Sequence, residues 1–479
     1  MITSEIAPYA KAGGLGDVVG ALSRELLSRG HDVRVVCPFY SLIEPSSDWF
    51  MHEKLLPVKL GIGHQEECEV WEGLSRTNGG YLYFLKNDKY FAGSAIYNHG
   101  HKRNGERFVL LSRAGIDICY YLDWIPDVVH CHDWMTALVS VYLKTTERET
   151  PMGFVPTVLT IHSMYYQGVF GKQILEFSGL PQTLSVSAAL EFKGSVNLLK
   201  GGLIYATKLT TVSERYAWEI IETEMGCGLN SIAKARKSDL TSIVNGIDVI
   251  EWNPEKDPYL PKNFSLTDMT GKKKCKHYLQ KYFNLKEDPE IVIFGAVARL
   301  YSQKGLDLLV EIIPRLMEEE SLQIVILGAG DLSLEETFKH LSVKYEGRIG
   351  VNIGYNAELA HLIEAGLDFF LMPSRFEPCG LNQMYSMTYG AVPIVRKTGG
   401  LADTVVPYSM GVDNATGLVF EEISSKALYD TIQRACHIFY ERPEEYRKMQ
   451  VNGMKKDFSW TKSVTKYEEV YKESIVKKV

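Results

Sequence analysis

Lys11-Ala-Gly-Gly-Leu15-Gly-Asp17-Val-Val19 and Lys397-Thr-Gly-Gly-Leu401-Ala-Asp403-Thr-Val405 repeat one spacing near the two ends of the chain. A lysine ahead of two glycines lets backbone approach an anion while a mobile cation neutralises it, and a helix starting just behind adds its positive end. Taken alone, such a turn is equally compatible with no ligand. Two other stretches add to it. Arg299 and Lys304, followed by Gly305, stand where a strand gives way to a helix. Arginine can fork onto phosphate oxygens and lysine supplies a point charge, a combination suited to a diphosphate leaving group. Cations there oppose the helix dipole, which favours an anion beside them over incidental solvated charge. Pro373-Ser-Arg375-Phe-Glu377-Pro-Cys379-Gly380-Leu381-Asn-Gln-Met-Tyr385 follows a strand ending at Met372. Its tight turn presents backbone N–H groups at a helix start beside the Glu377 carboxylate, able to hold an anion and a sugar hydroxyl. The alternative is a strand–helix loop in which Glu377 caps the helix.

A third set lies in the first half. His130-Cys131-His132-Asp133-Trp134 and Thr160-Ile161-His162-Ser163 each sit at the carboxyl end of a predicted strand, with Tyr165-Tyr166-Gln167-Gly168 just after. Histidines two apart on a strand share a face, so His130 and His132 have the spacing of metal ligands, but no further Cys/His cluster completes such a site. No metal or cofactor is called for. Asp133 and His162 read better as partners of sugar hydroxyls, with a purely structural role as the alternative. Gly328-Ala-Gly330-Asp331 is a lone glycine turn without the G-x-G-x-x-G of a dinucleotide site. Tyr355 can stack on a base or simply pack.

The elements that position these residues follow from the apolar pattern. Short β-branched runs alternate with amphipathic stretches, which predicts parallel sheets covered by helices on both faces. In the first half the strands are Asp32–Cys37, Gly80–Leu85, Asp127–His130, Thr157–Ile161, Lys208–Val212 and Thr241–Val244. In the second they are Ile291–Gly295, Leu322–Leu327, Gly350–Ile353, Asp368–Met372 and Val392–Val395. The helix after the first glycine turn places Leu15, Val18, Val19, Leu22 and Leu26 on one face and stops at Gly30. Between the halves, Asn245-Gly246 and the lysine-rich stretch at 272–274 mark a turn and a composition shift. The expected domains are therefore 1–244 and 245–457, each doubly wound, with a final helix over 458–479 joined to the first. Open α/β sheets of this kind place ligands beyond the carboxyl ends of their strands, here in a deep cleft between the domains.

Bulk composition narrows the class. At 479 residues, 45% hydrophobic and 23% charged, the chain is ordinary for a multidomain soluble protein. Its net charge of -7 argues against nucleic acid or an anionic membrane as the main partner. The eight cysteines are scattered, which favours reduced thiols and a cytoplasmic location. No apolar run approaches the roughly 20 residues needed to span a bilayer, and no transit peptide precedes the first glycine turn.

Lys11 to Leu15, His130 to Trp134, Arg299 to Gly305, Ser374 to Gly380 and the second glycine turn closely resemble the bacterial glycogen synthases and plant starch synthases of glycosyltransferase family 5. The resemblance runs in order over nearly the whole chain. It implies a GT-B fold: two Rossmann-like domains, an N-terminal one for the glucan acceptor and a C-terminal one for the nucleotide sugar. It also implies transfer of glucose from ADP-glucose to the 4-hydroxyl at the non-reducing end of an α-1,4-glucan, with retention and without a metal. By resemblance, the catalytic set is Lys11, Asp133, His162, Arg299, Lys304 and Glu377. Gly14, Asp17, Asn245, Tyr355, Cys379, Gly380 and Leu381 then bind the donor, with Arg299 and Lys304 on the diphosphate and Tyr355 near adenine. Lys397 falls outside this set. A transferase using UDP-glucose or another sugar nucleotide, and an inactive glucan-binding protein on the same scaffold, are the rival readings. The chain departs from the family in three places. Met1-Ile-Thr-Ser4 retains only the end of the usual first strand, which predicts that Met1 is not the native start; Ser163 stands where asparagine is common, and Thr207-Lys208 replaces a frequent acidic residue.

Overall fold

A computed structural model describes residues 1–74, 80–93, 95–97 and 103–477. The chain divides into two units, one of Met1–Gly246 with Trp460–Val479 and the other of Ile247–Ser459. Of the segment 458–479 expected as the last helix, residues 478–479 lie outside the described residues.

In the first unit, strands Val129–His132, Thr157–Ile161, Lys208–Thr211 and Leu240–Ser242 pair in parallel, in that spatial order. Arg34–Pro38 pairs in parallel with Tyr81–Lys86. Ile2 bridges in parallel to both Val36 and Cys131, so the short N-terminal stretch joins these two groups at the centre of the sheet. From there the chain passes to Arg34–Pro38 on one side and later returns to Val129–His132 on the other. That reversal is the kind of switch point where open α/β sheets hold ligands. The sheet is not purely parallel. Gln65–Leu74 runs antiparallel to Tyr81–Lys86, because residues 75–80 are too few for the crossover that a parallel pair requires.

Helix Gly14–Ser28 buries Leu15, Val18, Val19, Leu22 and Leu26, and the chain leaves it at Gly30 with φ +90°. The C-terminal helix Trp460–Val476 packs on this same unit. Its Val464, Tyr467 and Val470 are buried, and Glu468 meets Arg29 at 3.0 Å and His31 at 2.8 Å. Tyr471 reaches the Nδ1 of His130 at 2.8 Å, so this last helix touches the histidine strand directly.

The second unit is a six-stranded parallel sheet in the order Ile349–Ile353, Leu322–Gly328, Val292–Val297, Phe369–Met372, Val392–Arg396 and Leu418–Phe420. Its strands are apolar on both faces because helices cover both. Phe294, Ile324, Ile326, Phe369 and Leu371 point into one core with helices Leu306–Glu319 and Ser425–Glu441. The alternate residues Ile293, Val325, Leu327, Phe370 and Met372 point into the other, against helices Thr270–Tyr282 and Ala357–Gly366. Each such side chain contributes about 2 kcal/mol of apolar burial. Strand order reverses between Val292–Val297 and Phe369–Met372, and the loops leaving these neighbouring strands carry Arg299 to Lys304 and Pro373 to Gly380. Among the described residues, no helix is long and apolar enough to cross a membrane.

Candidate active site

In the second unit the two switch-point loops are tied to each other. Arg375 clamps Asp307 with two bonds of 2.7 and 2.6 Å and donates to the Ser302 carbonyl at 2.6 Å. The guanidinium holds the Asp307 carboxyl below the usual carboxylate range. Gln303 accepts from the Arg375 N–H at 2.8 Å through its carbonyl and donates to the Phe376 carbonyl at 3.2 Å. Gly305 has φ +68°, and a Cβ there would stand 2.0 Å from the Pro373 oxygen, so only glycine lets the loops meet. The result is a pair of functional side chains: Lys304 Nζ lies 2.5 Å from Glu377 Oε2, which also accepts from Ser374 Oγ at 3.2 Å. Glu377 is only 7% exposed. Its carboxylate is therefore committed to a cation and a hydroxyl rather than to capping the following helix. Arg299 is exposed, and Tyr355 is 86% exposed on a loop after Ile353. Cys379 is buried, whereas Gly380 and Leu381 are half-buried just before helix Asn382–Thr388.

The Glu377 turn is braced from behind. Gln383 Nε2 donates to the carbonyls of Cys379 and Gly380 at 3.2 and 3.0 Å. Gly400 N donates to the carbonyls of Glu377 and Pro378 at 3.2 and 3.0 Å. At Gly399 the φ is +40°, and a Cβ would lie 2.0 Å from the Glu377 oxygen. The second glycine turn is thus packed against the loop that carries Glu377. Lys397 points elsewhere, to Glu421 at 2.7 Å.

In the first unit Asp133 takes φ +53°, uncommon for a residue with a side chain, at the junction of strand Val129–His132 and a short helix. That conformation lets its Oδ1 accept the backbone N–H groups of His162 at 2.7 Å and Ser163 at 3.2 Å. Burial pushes its carboxyl up to about 7 despite those two bonds. The strand ends are thereby locked together with His162 half-buried at the surface of the unit. Beneath it, His162 Nε2 lies 3.1 Å from His132 Nδ1. The spacing that suggested metal ligands at His130 and His132 is used differently: His130 Nδ1 meets Tyr471 and its Nε2 meets Thr160 Oγ1 at 2.6 Å, which occupies both nitrogens. Thr160 Oγ1 continues to Thr210 Oγ1 at 2.6 Å. Asn245, at the end of the unit's core strands, is buried, and among the described residues its Oδ1 has no hydrogen-bond partner.

Around the first glycine turn, Lys11 pairs with Asp17 at 2.8 Å, one turn into the helix that Gly14 opens. Glu5 is the residue that sequence reasoning missed. Its buried carboxylate accepts from Ala12 N at 2.6 Å and Gly13 N at 2.9 Å through Oε2, while Oε1 accepts from Tyr97 OH at 2.5 Å. The Ala12 and Gly13 amides are therefore spent on an internal anion, and the turn is fixed in shape with its lysine in front. The signal was an acidic residue directly after Met1-Ile-Thr-Ser4, the stretch read only as a shortened strand, and a few residues ahead of the first glycine turn.

Comparison with known proteins places the chain in a family. Residues 1–235 match the family described as the starch synthase catalytic domain, and residues 279–456 match the glycosyl transferases group 1 family. The chain is 43% identical to glycogen synthase 1 of Geobacter sulfurreducens, covering 100% of this chain and 96% of that one. It is 40% identical to the glycogen synthase of Treponema denticola, over 100% and 98% of the two chains. The catalytic domain of starch synthase IV from Arabidopsis thaliana, solved bound to ADP and acarbose, superposes with a TM-score of 0.92 at 31% identity, over 99% of this chain and 98% of that one. Sucrose-phosphate synthase of Thermosynechococcus elongatus, at 17% identity and a TM-score of 0.62, shares the fold. Two doubly wound units, each with polar residues gathered at its switch point, and full-length identity of this order make the chain a member of the glycogen and starch synthase family, glycosyltransferase family 5, with the GT-B fold.

Proposed function

We propose that this enzyme transfers glucose from ADP-glucose to the non-reducing-end 4-hydroxyl of an α-1,4-glucan with retention. The observation that carries the mechanism is the Lys304–Glu377 pair at the switch point of the second unit. A carboxylate held by a lysine and a serine hydroxyl is poorly placed to serve as a covalent nucleophile, so same-face attack as the diphosphate departs is the reading it supports. The leaving phosphate accepts the acceptor's proton. Arg299, Lys304 and Lys11 offset its developing charge, Glu377 with Cys379, Gly380 and Leu381 holds sugar and phosphate, and Tyr355 meets the base. The Gly14 amide serves the diphosphate beside Lys11, while Asp133, His162, Asp17 and Asn245 lie around the transferred glucose or its acceptor. Support for the donor comes from the plant relative, which holds ADP, the product that ADP-glucose would leave. The free cysteines, seven of them buried, fit a reducing cytoplasm.

The test is transfer of radiolabelled glucose from ADP-glucose and, separately, UDP-glucose into glycogen. Incorporation from ADP-glucose well above that from UDP-glucose is expected. The reverse preference would reassign the donor, and no incorporation from either by folded protein would leave a glucan-binding scaffold.

A further inference from the structure

We infer that His132 sets the tautomer of His162, so that His162 presents an N–H at Nδ1 to an oxygen of the bound sugar or phosphate. His132 is then a positioning residue, acting through His162. The inference rests on the proposed placement of His162 beside the substrate.

His132 is completely buried, and among the described residues its Nε2 has no hydrogen-bond partner. Its Nδ1 lies 3.1 Å from His162 Nε2, so one ring donates and the other accepts. Two arrangements of the protons satisfy this. If the His132 proton were on Nε2, that N–H would be buried with nothing to receive it, and Nδ1 would accept from His162 Nε2. If the proton is on Nδ1, His132 donates to His162 Nε2 and only a lone pair is left unmet. Buried N–H groups without acceptors are the rarer defect in proteins, so the second arrangement is preferred. It has a direct consequence at the other ring. With Nε2 accepting, a neutral His162 must carry its proton on Nδ1, the atom it can turn to a ligand.

Neutrality is imposed by the surroundings. The His130 and His132 ring centroids are 4.2 Å apart, and those of His132 and His162 are 5.4 Å apart, so a charge on one disfavours a charge on the next. Burial lowers His162 to about 3 and holds the other two well below the ordinary histidine value. His162 is also fixed from the backbone side, where Asp133 takes its N–H at 2.7 Å. A histidine held at its backbone N–H and at ring Nε2, with one proton of defined position, suits an acceptor oxygen such as a sugar hydroxyl or a phosphate; the opposite tautomer would turn a lone pair towards an anion.

Two measurements on the full chain test this. The first is the two-bond 1H–15N spectrum of protein labelled in its histidine rings, with the His162 signals identified by their loss in His162→Asn. The expected pattern has the protonated nitrogen at Nδ1; protonation at Nε2, or at both nitrogens near neutral pH, would overturn the inference. The second compares His132→Asn, whose amide can occupy the Nδ1 position, with His132→Gln, whose amide reaches the Nε2 position. Wild-type-like folding of both is confirmed by circular dichroism. His132→Asn should keep the wild-type tautomer and stay within about fivefold of wild-type kcat, whereas His132→Gln should lose about tenfold or more. Equal kcat and equal His162 spectra in the two variants would contradict the assignment. If wild-type protein transferred no glucose, the proposed function would fail, yet the spectrum would still decide the tautomer.

Discussion

At Lys11 the repeated Lys-x-Gly-Gly-Leu spacing leads into the fifteen-residue helix Gly14–Ser28, while at Lys397 it leads into the six-residue helix Gly399–Thr404. The first lysine pairs along its own helix with Asp17, and the first turn's amides are gathered by Glu5. The second lysine turns to Glu421, and its glycines lie against the carbonyls of Glu377 and Cys379, where any Cβ would stand about 2 Å away. The same residues at the same spacing therefore present a cation in one place and permit close packing in the other. What separates them is what lies opposite each glycine, which spacing does not encode.

The largest effect should come from the packing turn. Gly399→Ala would place a Cβ 2.0 Å from the Glu377 oxygen at φ +40°, so about 3 kcal/mol of stability, with nearly all transfer activity, should be lost. Thermal denaturation and a transfer assay check this; a stable, active variant would show that the second turn does not shape the Glu377 loop. Next is Lys304→Ala. It removes a cation from the leaving group and leaves Glu377 without its ion partner, for an expected fall in kcat of about 10²–10³-fold. Near-normal turnover with only weaker nucleotide binding would count against that role.

A smaller change is expected at Glu5→Ala, which strips the acceptor from the Ala12 and Gly13 amides and should cost about 2 kcal/mol. Loss of order confined to the first turn, seen as faster hydrogen exchange there, is the expected signature. Protection unchanged at Ala12 and Gly13 would mean that Glu5 does not hold it.

Acid should also separate the two units. His130, His132 and His162 have native values depressed below 6.5, so their contribution is fully present above that pH and is lost as pH falls. Asp133 works in the opposite sense: its carboxyl is raised from 3.8 to about 7, so its contribution is present at low pH and is lost as pH rises through about 7. Between these limits three histidines oppose one carboxyl. Hydrogen exchange on acidification below 6.5 should therefore show the first unit opening before the second; simultaneous opening would contradict this balance.

Much of the second unit was legible in the amino-acid order. Its strands are apolar on both faces, and the Glu377 stretch follows one of them directly, so strand, turn and helix could be placed from local pattern. The Lys304–Glu377 pair was not legible as a contact, because it depends on Arg375 and Gly305 joining two loops that are far apart in sequence. In the first unit the antiparallel strand Gln65–Leu74 was not legible, its charged and apolar residues alternating only weakly. Glu5 and the polar line from Tyr471 through His130 to Thr160 were invisible for the same reason as the Lys304 contact: their partners come together only in the folded sheet. Asp133 and His162 could be placed at strand ends, but the left-handed backbone that lets one hold the other could not.

The most direct measurement is kcat for glucose transfer from ADP-glucose to glycogen in Lys11→Ala and Lys397→Ala, side by side. Lys11→Ala should lose about 10²-fold in turnover. Lys397→Ala, which removes only a surface pair with Glu421, should stay within about twofold of wild type. Equal losses in the two variants, or a larger loss at Lys397, would contradict the distinction between a turn that presents charge and a turn that packs.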